Sequence, residues 1–167
     1  IVILLPAVLC YFGLYSQVLT TQPAFPVEDQ PVIITFHADQ GDEGLKDFTG
    51  DIWAHTGVIT ENSNSGSDWK YVIAGWNENT DKAKLTKVST NTYELEIGPS
   101  IRAFYNVPSG EEILQMAFVF RSADGNQTGR DIGGNDIFSE VYIAGLNVEI
   151  ESPLNGTIVP LNENIQV

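Results

Sequence analysis

Short segments of β-branched and aromatic residues, separated by loops of Gly, Asp, Asn and Ser, run through most of this chain and restrict it to an all-β fold. Two consecutive segments alternate apolar and polar side chains around a two-residue turn, which is typical of a hairpin with one solvated face. The sequence therefore predicts an antiparallel Ig-like β-sandwich. The predicted strands cover residues 31–38, 51–60, 68–76, 84–89, 92–97, 112–121 and 137–143, and residues 99–105 form a predicted helical turn.

The N-terminal end is apolar and carries no charged side chain before Glu28. Residues 1–16 resemble the hydrophobic part of a signal peptide and are too short for a membrane-spanning helix. We expect cleavage between Ser16 and Gln17 of an N-terminally truncated signal, and a secreted or cell-surface protein that has no membrane insertion afterwards. A hydrophobic first element of the domain and a lipoprotein anchor at Cys10 stay open as alternatives.

We assign the predicted sandwich to residues 17–145. The residue pattern of the sequence changes after it. Residues 146–167 look like the opening strands of a second Ig-like domain that is truncated in this sequence. We expect the sandwich to belong to a longer secreted protein and to have further domains of that chain as its neighbours.

The charge balance excludes two classes of partner. The chain has 8 Lys+Arg against 22 Asp+Glu, a formal net charge of −14. Nucleic-acid binding and docking on an anionic membrane both need a basic surface, so neither is expected. Two His cannot supply a three-His zinc site, and the sequence holds neither a G-x-S-x-G nor an H-E-x-x-H motif. We predict no catalytic residue, although a pair of carboxylates is not excluded by counting.

We expect no cofactor. Calcium stays open as an alternative because some loops are rich in oxygen ligands. Asp39, Asp42 and Asp124 are weak candidates for calcium ligands, because hard cations prefer such loops. The loops lack the EF-hand pattern, and turn chemistry explains their Asp, Asn and Gly residues.

Aromatic residues concentrate on two consecutive predicted strands. Trp53 and His55 share one face of the first strand, because side chains alternate along a strand. On the second, Trp69 and Trp76 fall on opposite faces, so at least one of them lies outside the core. An exposed Trp beside a polar side chain such as Lys70 is what sugar binding requires. These five residues are the candidate carbohydrate site.

Several stretches resemble the N-terminal β-sandwich modules of secreted α-amylase-type glycoside hydrolases (family 13) of Bacteroidetes-like bacteria. The stretches are TTQPAFP at residues 20–26, GDIWAHTGVIT at 50–60, DWKYV at 68–72, PSIRAFY at 99–105, AFVFRSADG at 117–125 and GRDIGG at 129–134. The resemblance implies a non-catalytic, starch-binding-like module for an α-glucan, in a parent enzyme of the α-amylase family that degrades polysaccharide.

Arginines in these stretches have an expected structural role. We predict that Arg102, Arg121 and Arg130 pair with carboxylates such as Asp124 or Asp131 and fix loops. Two alternatives to the binding module stay open: a structural Ig-like spacer or adhesion domain with no sugar site, and a segment that is itself an enzyme.

Overall fold

The computed structural model describes residues 17–145. The predicted signal peptide and the predicted start of a second domain lie outside these residues. The described elements are the strands β1 (Leu19–Gln22), β2 (Val32–His37), β3 (Ile52–Thr60), β4 (Thr86–Ser89), β5 (Thr92–Ile97), β6 (Ile113–Ser122), β7 (Thr128–Gly129) and β8 (Ile137–Glu140), the helix α1 (Ile101–Tyr105) and two 3-10 turns. No helix in this part of the chain is both long and apolar enough to cross a membrane.

The strands form two antiparallel sheets. One sheet has the order β1-β2-β5-β4, and in the other β6 pairs with β3 along one edge and with β7 and β8 on its opposite edge. This is the strand order of constant-type immunoglobulin domains, in which an A-B-E-D sheet packs on a C-F-G sheet. The prediction of an all-β, antiparallel Ig-like sandwich is confirmed.

The core lies between the two sheets and is built by alternate residues of each central strand. The Phe36 ring of β2 stacks on the Phe120 ring of β6 with centroids 4.0 Å apart, which joins the sheets directly. A buried hydrogen bond of 2.6 Å between Thr56 and Tyr105 attaches the end of α1 to β3. The buried apolar residues that β2, β3, β5 and β6 contribute to this core are Val32, Ile34, Phe36, Ile52, Ala54, Val58, Tyr93, Leu95, Ile97, Ile113, Met116, Phe118 and Phe120.

The β3–β6 sheet is buried on both faces for most of its length. Its outer face is covered by the long connection between β3 and β4, residues 61–85. Val58 and Lys70 exchange backbone hydrogen bonds of 3.0 and 2.8 Å, and the Ile73 N–H donates to the Thr56 carbonyl at 3.0 Å. The connection therefore lies against the sheet instead of extending into solvent.

One strand prediction is wrong. Residues 68–76 form no regular strand and pair with β3 through the isolated bridge at Val58 and Lys70 instead of a continuous ladder. Tyr71 has φ 51°, in the left-handed region, which breaks the extended conformation that the alternating pattern predicted. Trp69 and Trp76 consequently do not lie on opposite faces of one strand, and the argument that separated them no longer holds.

Candidate functional site

The outer face of β3 carries the first candidate residues. Ile52, Ala54 and Val58 point into the core, so the intervening Trp53 and His55 share the opposite face, as the sequence predicted. In the register with β6, Trp53 lies opposite Arg121 and His55 lies opposite Val119. The site is therefore built on a paired, rigid part of the sheet.

His55 lies at the centre of an aromatic cluster. The Trp69 ring stacks on it, with centroids 5.6 Å apart and an interplanar angle of 26°. The Trp76 ring contacts it edge-on at 5.2 Å and 67°. Phe138 of β8 continues the cluster beyond Trp69, at 6.4 Å and 79°. The centroid separations and interplanar angles of all three pairs are those of favourable aromatic contacts.

These aromatic residues line a surface pocket of about 420 Å³. Trp69 and Trp76 are half-buried, so each ring has a covered and an exposed part. Charged side chains at the pocket are paired: the Lys70 ammonium lies 2.9 Å from the Asp68 carboxylate, and the Arg130 guanidinium is hydrogen-bonded to Asp136. The residues lining the pocket are His55, Ser67, Asp68, Trp69, Val72, Trp76, Val119, Arg130 and Asp136.

A hydrogen-bonded turn fixes Trp69. Its indole Nε1–H donates to the Gly66 carbonyl at 3.0 Å. The Asp68 carboxylate accepts from the Asn64 backbone N–H at 2.9 Å, the Asn64 side-chain amide at 2.8 Å and the Lys70 ammonium at 3.0 Å. These bonds lower the pKa of Asp68 to about 2. Asp68 and Lys70 therefore hold the turn that presents the Trp69 ring.

A second set of contacts fixes Trp76. The Arg121 guanidinium donates to the Glu78 carbonyl at 2.6 Å and to Asn79 Oδ1 at 2.8 Å, just beyond Trp76 in the chain. The Asn79 amide in turn donates to the Ala123 carbonyl at 3.0 Å. Gly125 has φ +70°, and a Cβ there would lie 2.7 Å from Trp76 Nε1, so only glycine lets the β6–β7 turn approach this indole.

Between the two Trp residues the connection is held by Glu111, which sequence reasoning did not single out. Its carboxylate accepts a hydrogen bond of 2.6 Å from the Tyr71 hydroxyl and one of 2.5 Å from the Thr60 hydroxyl. These bonds lower the pKa of Glu111 below its ordinary value. Tyr71, with its left-handed backbone, is thus anchored to the sheet. A Glu in a loop, next to a second Glu, gave no sequence signal for this role.

The three arginines only partly follow the prediction of carboxylate pairing. Arg102 pairs with Glu28 at 2.5 Å, and Arg130 pairs with Asp136; neither partner was the one predicted. For Arg121 the prediction is wrong: among residues 17–145 no carboxylate lies within ion-pair distance of its guanidinium, whose acceptors are carbonyl and amide oxygens. Arg121 is 1% exposed, because the Trp76 loop covers it.

Trp53 is separate from the pocket. It is only 9% exposed, and the Lys84 ammonium lies over its ring at 5.4 Å from the centroid. A ring covered in this way has no free face for stacking on a ligand. Trp53 shares a face with His55, as predicted, but it does not line the pocket formed by Trp69 and Trp76.

The weak calcium candidates occupy turns. Asp124 accepts from the Ser122 hydroxyl and from both the backbone and side chain of Asn126, and Asp42 accepts from the backbone N–H groups of Gly44 and Arg130. Asp39 lies half-buried in the loop after β2. Within residues 17–145 no group of three His, Cys, Asp or Glu side chains has a spacing that could hold a metal ion. Turn formation accounts for Asp42 and Asp124.

The burial of His55 implies that the stability of the domain depends on pH. Desolvation, the largest effect, lowers its pKa below the ordinary value of 6.5. Above pH 6.5 the imidazole is neutral in both the folded and the unfolded chain, so its titration does not reduce the free energy of unfolding. As pH falls, the unfolded chain binds the proton first, so stability decreases through the range from about pH 7 to pH 5. We expect His55→Gln to reduce this decrease, measured from urea midpoints across that range.

The matched control is His37→Gln in the other sheet, which is expected to retain the wild-type pH dependence. Equal slopes in the wild type and His55→Gln would contradict the prediction.

The described residues thus define an immunoglobulin-like β-sandwich with a preorganised aromatic pocket on the outer face of one sheet. The chain belongs to the family described as Domain of unknown function (DUF8578), whose family model matches residues 20–128. That range includes His55, Trp69 and Trp76 and ends before β8. A search of curated proteins found no match. The family description names no ligand, so the resemblance to amylase modules stays a prediction.

Proposed function

We propose that this domain is a non-catalytic carbohydrate-binding module that binds a neutral polysaccharide, an α-glucan by its resemblance to amylase modules, in the pocket between Trp69 and Trp76. The observation that carries the proposal is the pair of partly exposed Trp residues that line one pocket on either side of His55. An indole face covers the apolar C–H surface of a pyranose, while polar groups at its edge bind the hydroxyls.

Polar groups suited to sugar hydroxyls surround the two rings. Asp136, Arg130 and Asp68 line the same pocket, and their charges are already paired within the protein. A carboxylate accepts and a guanidinium donates, so together they match hydroxyl groups, which do both. The ion pairs keep these side chains in place before a ligand arrives, which lowers the entropic cost of binding.

The charge of the protein favours a neutral ligand. A formal net charge of −14 repels anionic polymers such as polyuronates. The paired side chains at the pocket leave no excess positive charge there to offset this repulsion. A starch-type glucan, which is uncharged, meets no such barrier.

The exposure of the Trp residues also bears on the alternative of a structural spacer. A spacer has no need of exposed Trp, and all three would be expected in the core or under loops. Trp53 fits that description at 9% exposure, whereas Trp69 and Trp76 each keep part of the ring accessible. This difference supports a binding function for the second pair.

One pocket of this size supports weak affinity, and covalent linkage makes weak affinity useful. A site that binds a few sugars buries little surface. Fused to a glycoside hydrolase of a secreted or cell-surface protein, the module would raise the effective concentration of the catalytic domain at the polysaccharide. We infer guidance of substrate, not turnover, as its contribution.

The test is affinity electrophoresis of the 167-residue chain in native gels that contain starch, pullulan, laminarin, polygalacturonate or no polysaccharide. We expect retardation by starch and pullulan and unchanged migration with polygalacturonate. Retardation by laminarin alone would support a glucan module but contradict the α-linkage. Unchanged migration in every gel would contradict carbohydrate binding and favour the spacer.

A further inference from the structure

Phe138 is an exposed aromatic residue that the core does not use. It is 40% exposed on β8, while its neighbours Ile137 and Ser139 are buried. Its register opposite Ala117 of β6 places it on the outer face of the sheet, the face that also carries His55. Burial in the core therefore gives no reason for a Phe at this position.

The Phe138 ring extends the row of pocket aromatics. The centroids of the Phe138 and Trp69 rings lie 6.4 Å apart in an edge-on arrangement. Trp69 in turn stacks on His55, and His55 contacts Trp76. The side chain also lies close to Gly66, whose carbonyl holds the Trp69 indole. Three rings with accessible surface, those of Trp76, Trp69 and Phe138, thus follow one another across the sheet.

Phe138 also lines a second concave surface, on the side away from the aromatic pocket's other residues. Besides contacting Trp69 at one end of the aromatic pocket, it lines a groove of about 760 Å³ between the edge strands β1 and β8. Thr20, Thr21, Ser139 and Glu140 line the same groove and supply hydroxyl and carboxylate groups. An oligosaccharide that extends over Phe138 on the groove side would find these polar groups beside it.

We propose that Phe138 forms an additional sugar subsite, so that the site takes a linear oligosaccharide of at least three units lying across Trp76, Trp69 and Phe138. This inference rests on the proposed carbohydrate function and adds the class of ligand: an extended chain, in preference to a single sugar or a disaccharide. The subsite lies on β8, outside the residues that the family model matches. The pocket residues Arg130 and Asp136 also lie outside that range.

The proposal predicts a dependence on chain length that a change in folding would not produce. Binding of maltooligosaccharides and laminarioligosaccharides of two, four and six units is measured by quenching of Trp fluorescence in the full chain. We expect the wild type to bind the longer members more tightly. Phe138→Ala should lose about tenfold in affinity for the four- and six-unit chains and change little for the disaccharide.

Two further variants complete the test. Val88→Ala removes an exposed apolar side chain from the opposite sheet, where Val88 is 54% exposed, and should leave all affinities unchanged. Phe138→Trp enlarges the ring face and should restore or increase binding of the long chains. Thermal unfolding of each variant verifies that it is folded.

Two outcomes overturn the inference, and they are distinguishable. If the wild type binds the long chains and Phe138→Ala matches it at every length, or weakens all lengths by one factor, Phe138 is no subsite and the carbohydrate function stands. If the wild type binds none of the six oligosaccharides and no gel retards it, the function and the subsite fail together.

Discussion

Replacing Trp76 by alanine is expected to abolish retardation of the chain in starch gels. Trp76 packs edge-on against His55, and Gly125 and the Arg121-bound loop hold it in place. A rigid, half-exposed indole has the properties of a binding hot spot, since little conformational entropy is lost when a ligand stacks on it. Its truncation should cost about 2 kcal/mol of binding free energy, roughly 30-fold in affinity.

The measurement is relative mobility across a series of starch concentrations, which gives an apparent dissociation constant for each variant. Trp76→Phe keeps a smaller ring and should retain part of the affinity. Val88→Ala is the control: Val88 is an exposed apolar residue on β4 of the opposite sheet, and it lines neither the aromatic pocket nor the groove beside Phe138. It should migrate like the wild type.

Wild-type retardation of a folded Trp76→Ala chain would place the glucan site elsewhere on the molecule. Trp69→Ala, tested in parallel, should weaken binding by a similar factor. It also removes the ring that lies between His55 and Phe138.

Replacing Arg121 by methionine should lower both the stability of the domain and its affinity for starch. Two effects of opposite sign act on the free energy of unfolding. Removing a buried charge without a carboxylate partner is favourable. Against this, three charge-assisted hydrogen bonds to Glu78, Asn79 and Ser122 are lost, each worth about 1.5–3 kcal/mol. We expect the second effect to dominate, with a net loss of about 2 kcal/mol.

Urea unfolding measures the stability of Arg121→Met, and the same gels measure its affinity. Because Arg121 holds the loop that carries Trp76, affinity should fall even under conditions where the variant is fully folded. Lys46→Met is the matched control, since Lys46 forms an exposed pair with Glu43 that contributes little. A variant of Arg121 with unchanged stability and unchanged retardation would show that the loop does not depend on it.

The strands could be predicted from the sequence wherever local pattern and tertiary environment agree. The hairpin of β4 and β5 was predicted from alternation, and its observed strands lie inside the predicted segments. Residues 68–76 show the same composition of aromatic and β-branched residues, but they meet the free edge of β3 through one bridge only and then cover the outer face of its sheet. Their backbone follows a local anchor, the Asp68 carboxylate bound to Asn64 and Lys70, and a distant one, the Tyr71–Glu111 hydrogen bond, which no local pattern predicts.

The candidate site was likewise predictable from the sequence only in part. His55, Trp69 and Trp76 were selected as aromatics near a polar residue, and the structure brings all three together. Phe138 lies 62 positions after Trp76 (138 − 76 = 62) and could not be linked to them by spacing. Trp53 was selected on the same grounds as His55, yet Lys84 and the β3–β4 connection cover it.

The sequence by itself determined the all-β class and the face that Trp53 and His55 share. These depend on period-2 alternation, turn residues and composition, which act locally along the chain. Only the tertiary structure decided which Trp rings remain accessible, that Arg121 is buried against carbonyls and that Phe138 joins the aromatic row. Those outcomes depend on how the residue 61–85 connection and β8 pack on β3 and β6, and such packing arises from contacts that no local pattern encodes.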